Sequence, residues 1–291
     1  MRLESERAQS RIADPLVGAE DVVDFARLDR VLADGGAERY RRNSPYPHIC
    51  LEALLSDEAA KAAHEEICAT DVPGEKVNYS TYRKYRQSDP ARIGPAVGRV
   101  IAALNSERFL DFLERLTGIE NLLTDPTLEG GGIHRIGTGG FLKVHTDFNF
   151  HRVSGLHRRL NILVYLNPGW DPAWGGAIEL WHSDMSRRGA AYEPTWNRTV
   201  IFSTTDESYH GHPDPLTSPE GVYRNSIALY YYTREEPTDG YRFQRSEMTN
   251  YQERPGERFA PAGRIVHFIH QVEIRRPRLR KVTGWLRKLL G

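Results

Sequence analysis

Only two cysteines, Cys50 and Cys68, occur among the 291 residues of this sequence. This count excludes the framework of several disulfide bonds that stabilises many small secreted domains, and it favours a reducing compartment. The N-terminal stretch MRLESERAQSRIADP is charged and lacks the apolar segment of a secretory signal. We therefore expect a cytoplasmic protein.

Long apolar runs and an excess of charge of one sign are also absent. No segment approaches the roughly 18 apolar residues that span a membrane as a helix. Lys and Arg together number 39, and Asp and Glu together also number 39, so no overall electrostatic field favours nucleic acid. We expect no nucleic-acid partner and no transmembrane segment.

The first part of the chain has the pattern of helices with one strand between them. Apolar residues at helical spacing predict a helix over 19–34 that ends at Gly35, and one or two further helices over 95–117. Residues 47–55, PHICLEALL, predict a strand. Directly after it, Ser56 is placed to cap a helix whose first turn is acidic.

From Gly130 onwards the pattern changes to short β-type runs separated by turns. The runs are GGIHRI, FLKVHTD, LNILVYLN, GAIELW, RTVIFS and SIALYYYT. Several short strands at such spacing are typical of a sandwich or barrel. We predict an α+β, mainly β fold with a double-stranded β-helix (jelly roll) core at about 130–233, backed by the N-terminal helices. The predicted division is an N-terminal lead and helix (1–44), a main domain (45–235) and a C-terminal extension with a basic end (236–291).

Three His-x-Asp pairs occur in the sequence, and such a pair at a strand end directs both side chains to one point. They are His145-Thr-Asp147, His182-Ser-Asp184 and His212-Pro-Asp214. A metal site needs a further ligand from a distant strand of the same barrel. Several strands of about 5–6 residues fit between the first pair and His210. Only residues 185–209 separate the second pair from His210, which is short for several strands. The third pair could combine only with His267 or His270, which lie in a charged C-terminal segment. The first pair is therefore preferred.

Two imidazoles and one carboxylate around a metal leave coordination positions open, which is the facial arrangement of non-haem Fe(II) oxygenases. His145 and Asp147 supply one imidazole and the carboxylate. The second imidazole is either His210 or His212, since both lie on one face if SYHGHPDP is extended. His212 would then line the pocket if His210 is the ligand.

The order of six motifs resembles the Fe(II)/2-oxoglutarate dioxygenases of the prolyl 4-hydroxylase-like group, over about Pro45 to Thr233. The motifs are HTDFN, RRLNILVYLNPGW, WGGAIELW, NRTVIFS, HGHPDPL and RNSIALYYY. The resemblance implies that His145, Asp147 and His210 are the iron ligands and the catalytic centre. It implies Fe(II), 2-oxoglutarate as cosubstrate and O2, with ascorbate as a further candidate cofactor.

The resemblance also implies a cosubstrate site around Arg224. A planar guanidinium can hold a carboxylate through two parallel hydrogen bonds, and here it would hold the distal carboxylate of 2-oxoglutarate. Tyr165 is implied as a hydroxyl partner, and Ser226 lies two residues from Arg224 on the same strand face. Leu163 and Ile178 are implied to pack around the cosubstrate.

The implied activity is that of an oxidoreductase that hydroxylates an unactivated C–H bond and releases succinate and CO2. Asp147 favours hydroxylation because related halogenases lack this carboxylate, although desaturation and ring closure remain alternatives. Our first hypothesis for the substrate is a small molecule or specialised metabolite, and the alternative is peptidyl or prolyl hydroxylation. A third hypothesis, a non-catalytic jelly-roll binding protein, is disfavoured because a binder need not retain a complete ligand set.

The C-terminal sequence RRPRLRKVTGWLRKLLG combines basic and apolar residues. Such a basic helix can contact a membrane surface or a partner. The alternative is a terminal helix that packs on its own domain through its apolar face.

Overall fold

The structure is a computed structural model, and it describes residues 18–69, 75–79, 82–238 and 246–258. No helix within these ranges is long and apolar enough to cross a membrane. The predicted basic C-terminal helix lies outside the described residues. The domain limits drawn from the sequence stay predictions.

Five α-helices lie in the first part of the described chain. They are α1 (Phe25–Ala33), α2 (Gly36–Arg42), α3 (Asp57–Ala69), α4 (Pro95–Leu104) and α5 (Glu107–Thr117). The helix predicted over 19–34 begins only at Phe25, because the side chain of Asp24 accepts a hydrogen bond from the Arg27 backbone N–H and caps it there. Ser56 caps α3 as expected, through the backbone N–H of Ala59. The segment 95–117 forms two helices, and Ser106 caps the second.

The described residues contain thirteen strands, and all six β-type runs predicted from the sequence are among them. The strands are β1 (His48–Glu52), β2 (Glu75–Tyr79), β3 (Tyr82–Gln87), β4 (Leu123–Thr124), β5 (Gly132–Ile136), β6 (Phe141–Thr146), β7 (His157–Tyr165), β8 (Ile178–Trp181), β9 (Arg188–Tyr192), β10 (Arg198–Ser203), β11 (His210–His212), β12 (Arg224–Thr233) and β13 (Asn250–Tyr251). Sequence patterns did not predict β2, β3, β4, β9 or β13, and the segment of β11 was considered extended only as one possibility.

The strands pair antiparallel in the order β1-β10-β7-β12-β5-β3-β6-β11-β8-β9. Three short additions complete the sheet, since β2 pairs with β3, β4 with β12, and β13 with β6. The fold is thus mainly antiparallel β with few helices, consistent with a jelly roll. β3 contacts both β5 and β6, so it joins the two parts of the sheet that carry the candidate site.

The central strands β7, β10 and β12 are buried on both faces. One face packs against the helices in the large core cluster, through residues such as Ile162, Ile201 and Leu229. The opposite face packs with Ile178 and Leu180 of β8 in a second cluster that includes Phe202. Burial on both faces explains why these strands read as nearly continuous apolar runs instead of alternating patterns.

Candidate metal centre

The structure brings His145, Asp147 and His210 together. His145 on β6 is directly paired with His210 on β11, and Asp147 follows the end of β6. Nε2 of His145 lies 3.5 Å from Oδ1 of Asp147, and Nε2 of His210 lies 3.3 Å from its Oδ2. One donor atom from each residue lies within 4.8 Å of the others. Within the described ranges, this is the only group of three or more such residues close enough to hold a metal ion.

The backbone fixes the orientation of both imidazoles. Nδ1 of His145 lies 2.8 Å from the Lys143 carbonyl, and Nδ1 of His210 lies 2.9 Å from the Ser208 carbonyl. A carbonyl oxygen only accepts hydrogen bonds, so Nδ1 carries the proton and the Nε2 lone pair faces the centre. Burial lowers the pKa of His145, and the neighbouring His210 lowers it further. His145 therefore presents a neutral nitrogen ligand.

Asp147 is held in its ionised form by two polar partners. Its Oδ2 accepts hydrogen bonds from Nδ2 of Asn161 at 2.7 Å and from Nη2 of Arg158 at 2.9 Å. Burial alone would raise the pKa of Asp147, but the charges of Arg158 and His210 outweigh it and hold the pKa well below its usual value. Both hydrogen bonds go to Oδ2, so Oδ1, which faces Nε2 of His145, is available as a carboxylate ligand for a metal ion.

A β-bulge places Arg158 in this contact, and sequence reasoning missed it. Tyr231 pairs with Leu160 and Tyr232 with Arg158, so Arg159 is an extra residue in β7. In a regular strand Arg158 and Asn161 would face opposite sides of the sheet, because they are three residues apart, and the bulge brings both side chains to the same side. The only available signal was a pair of polar residues within the apolar run RRLNILVYL.

We expect Asn161→Leu to lower Fe(II) affinity by about 10–100-fold, the usual effect of losing an outer partner of a metal ligand. The replacement has a similar size but cannot hold Oδ2 of Asp147. Anaerobic Fe(II) titration measures the effect. Thr199→Val on the neighbouring strand is the matched control, since Thr199 is also buried and its hydroxyl contacts no polar partner among the described residues. Equal affinities for both variants would contradict the role of Asn161.

Arg224 lies on β12 and is almost completely buried, with 3% of its surface exposed. Its Nε donates to the Gly176 carbonyl at 2.7 Å, and its Nη2 donates to the Tyr165 hydroxyl oxygen at 3.0 Å. Burial raises the pKa of Tyr165, so this side chain keeps its proton. Position 176 favours glycine, because its φ is +82° and a Cβ atom there would lie 2.6 Å from the Leu216 side chain and 3.1 Å from that of Arg224.

One cavity of about 390 Å³ connects the three-residue centre with Arg224. Its wall also includes Ser226, Leu163 and Ile178, three residues that the resemblance assigns to the cosubstrate site, whereas Tyr165 lies in contact with Arg224 and is fully buried. The hydroxyl of Ser226 is buried without a hydrogen-bond partner among the described residues. The predicted cosubstrate residues therefore lie together.

Cations on β3 line the same cavity and had no signal in the sequence. Lys84 and Arg86 lie two residues apart, so they share one face of the strand. Arg86 is paired with His134 of β5, which is paired with Ser226 of β12. Burial and the neighbouring Arg86 lower the pKa of Lys84 to about 8. The cavity thus has a basic wall beside the metal centre.

The donor set fits iron. Two imidazole nitrogens and one carboxylate oxygen converge, which is the ligand set of a mononuclear Fe(II) site with open positions. Another part of the cavity wall contains Arg224, whose guanidinium group can bind a carboxylate.

Comparisons with known proteins agree with this geometry. Residues 131–232 match the family model of the 2OG-Fe(II) oxygenase superfamily. Over 193 residues the chain is 26% identical to prolyl 3-hydroxylase OGFOD1 of Mus musculus, covering 65% of this chain and 33% of that protein. The chain thus spans about a third of the length of this curated relative.

Two solved structures share the fold. A prolyl 4-hydroxylase of Phytophthora capsici gives a TM-score of 0.52 at 14% identity, covering 87% of this chain and 75% of that one. A prolyl hydroxylase of Trichoplax adhaerens, in complex with a hypoxia inducible factor peptide fragment, gives 0.50 at 14% identity, covering 72% and 92%.

Proposed function

We propose that this chain is a 2OG-Fe(II) oxygenase of the prolyl-hydroxylase-like group and that it hydroxylates a prolyl residue of a peptide or protein. The match of residues 131–232 to the family model and the likeness to a prolyl 3-hydroxylase support this proposal. The cofactors of this family are Fe(II), 2-oxoglutarate and O2. The observation that carries the proposal is the convergence of His145, Asp147 and His210 in one cavity with Arg224.

The three candidate metal ligands, Arg224 and Tyr165 then have defined tasks. His145, Asp147 and His210 would hold iron through Nε2, a carboxylate oxygen and Nε2. Arg224 would hold the distal carboxylate of 2-oxoglutarate. Arg224 donates to the hydroxyl oxygen of Tyr165, so the hydroxyl hydrogen of Tyr165 is available to donate to the same carboxylate. Iron with bound 2-oxoglutarate and O2 would supply the oxidant for C–H hydroxylation, with one oxygen atom passing to the substrate, the other to succinate, and release of CO2.

Further apolar and polar side chains would complete the cosubstrate site. Ser226 has a buried hydroxyl in the wall and is placed to donate to the carboxylate. Leu163 and Ile178 would pack along the carbon chain. We also propose that the two parts of the sheet form a double-stranded β-helix, with the site between β6–β11–β8 and β7–β12–β5. A cytoplasmic location and an ascorbate requirement stay predictions.

The substrate class has two candidates. The sequence placed a small molecule first, but the likeness to a prolyl 3-hydroxylase supports the peptidyl alternative better. An acidic small molecule is the second candidate, favoured by Lys84 and Arg86 in the cavity wall. A carboxylate or phosphate on the substrate would find complementary charge there.

We expect the purified protein to bind one Fe(II) and to convert 2-oxoglutarate to succinate, slowly even without substrate. Succinate release measured with proline-containing peptides and with small acids identifies the class that stimulates turnover. Mass spectrometry of the stimulating compound then locates the added oxygen. A protein that binds iron but never forms succinate, under any of these conditions, would contradict the proposal and favour a non-catalytic binding protein.

A further inference from the structure

His212 is a buried polar residue with no assigned task. It lies on β11 two residues after His210, is 3% exposed and lines the cavity. Neither of its ring nitrogens has a hydrogen-bond partner among the described residues. Its cross-strand neighbour on β6 is Leu142, which is apolar. Among the described residues, His212 therefore has no hydrogen-bond partner.

A buried imidazole without a partner is unfavourable, because it has lost its hydrogen bonds to water and gained none. Such a group in a cavity wall is expected to find its partner in a ligand. The polar groups of the ligand must then reach the segment of wall that His212 occupies.

His212 lies along the path from the metal centre to Arg224. On β8, Leu180 is paired with His210 and Glu179 with Gly211, so the regular register brings His212 opposite Ile178. Gly176, whose carbonyl binds Arg224, lies two residues further along the same wall. With a rise of about 3.3 Å per residue, His212 is roughly 6–7 Å beyond His210. A five-carbon diacid that reaches from the metal to Arg224 passes His212 near its distal end.

We propose that His212 donates a hydrogen bond to the distal carboxylate of 2-oxoglutarate, beside Arg224, and so helps the site to select a dicarboxylic 2-oxo acid. This inference rests on the proposed function. An imidazole ring carries an N–H in either of its protonation states, so His212 can donate to a carboxylate oxygen.

The test compares two ligands that differ only at the distal end. Protein loaded with Mn(II), which replaces iron without turnover, is titrated calorimetrically under nitrogen with 2-oxoglutarate and with 2-oxopentanoate, which carries a methyl group in place of the distal carboxylate. We expect His212→Leu to weaken 2-oxoglutarate binding by about tenfold or more, equivalent to about 1.4 kcal/mol. Binding of 2-oxopentanoate should be unchanged or slightly stronger.

His182→Leu is the matched control. His182 is also a histidine with a buried ring nitrogen that lacks a partner among the described residues, but it lies outside the cavity wall. This variant should bind both ligands like the wild-type protein. His212→Gln, which restores an N–H donor near the same point, should recover part of the discrimination.

Each result is decisive. Equal weakening of both ligands in His212→Leu would mean a packing role and overturn the inference, as would unchanged 2-oxoglutarate affinity. Loss of Mn(II) from His212→Leu, with retention in His210→Ala, would make His212 the metal ligand instead. If the wild-type protein binds Mn(II) but neither 2-oxo acid, the proposed function itself fails.

Discussion

Replacing Asp147 with alanine is expected to abolish succinate formation and to weaken Fe(II) binding severely. The variant loses the only anionic ligand of the centre, so the loss of affinity should exceed the roughly 10–100-fold effect of an outer partner. His145→Ala should behave in the same way, because the Nε2 of His145 faces the same point. Anaerobic Fe(II) titration and succinate analysis measure both effects.

Loss of iron affinity must be separated from loss of folding stability, and two further variants, Asp147→Asn and Asp184→Ala, do this. Asp147→Ala leaves the buried Arg158 without its carboxylate partner, which costs about 3–5 kcal/mol of folding free energy. Asp147→Asn keeps an oxygen for Arg158 but removes the anionic ligand, so it should remain folded and still lose iron. Asp184→Ala, in the second His-x-Asp pair, is the control and should retain full affinity. Unchanged iron affinity in both His145→Ala and Asp147→Ala would rule out the ligand assignment.

Periodicity and spacing predicted the parts of the fold that depend on local pattern. The six β-type runs after Gly130 are strands because their apolar residues are buried on one or both faces. The His145–Asp147 pair was recognisable because its spacing matches the period of a strand that ends at the site. The start of α1 was misplaced because apolar spacing extends through Val22 and Val23, whereas the capping side chain of Asp24 sets the boundary.

Contacts that depend on pairing across the sheet could not be predicted. The extra residue in β7 that turns Arg158 toward Asp147 is visible only from the register with β12. Lys84 reaches the cavity because β3 joins β5 and β6, a pairing between distant segments. The sequence also left His210 and His212 as alternatives, since both lie on one face. The structure places His210 next to Asp147, with Nε2 3.3 Å from Oδ2.

Arg224→Ala is expected to raise the apparent Michaelis constant for 2-oxoglutarate strongly while leaving Fe(II) affinity unchanged. Removing one partner of a buried charge-assisted pair costs about 2–5 kcal/mol of binding free energy. Arg224 contacts Gly176 and Tyr165 but none of the three candidate metal ligands, so the two affinities should separate. Titration of turnover with 2-oxoglutarate, and Fe(II) titration on the same preparation, give both values.

Arg224→Lys distinguishes a bidentate hydrogen-bonded contact with the carboxylate from attraction by a positive charge alone. A lysine ammonium can attract the carboxylate but cannot make two parallel hydrogen bonds, so this variant should be only partly active. Arg198→Met is the control, because Arg198 is bound to Glu52 on the neighbouring strand and lies outside the cavity wall. Its 2-oxoglutarate dependence should match the wild type. If turnover of Arg224→Ala depends on 2-oxoglutarate as in the wild type, Arg224 does not bind the cosubstrate. If Arg224→Ala loses Fe(II) affinity to the same extent as 2-oxoglutarate affinity, Arg224 instead maintains the structure of the metal centre.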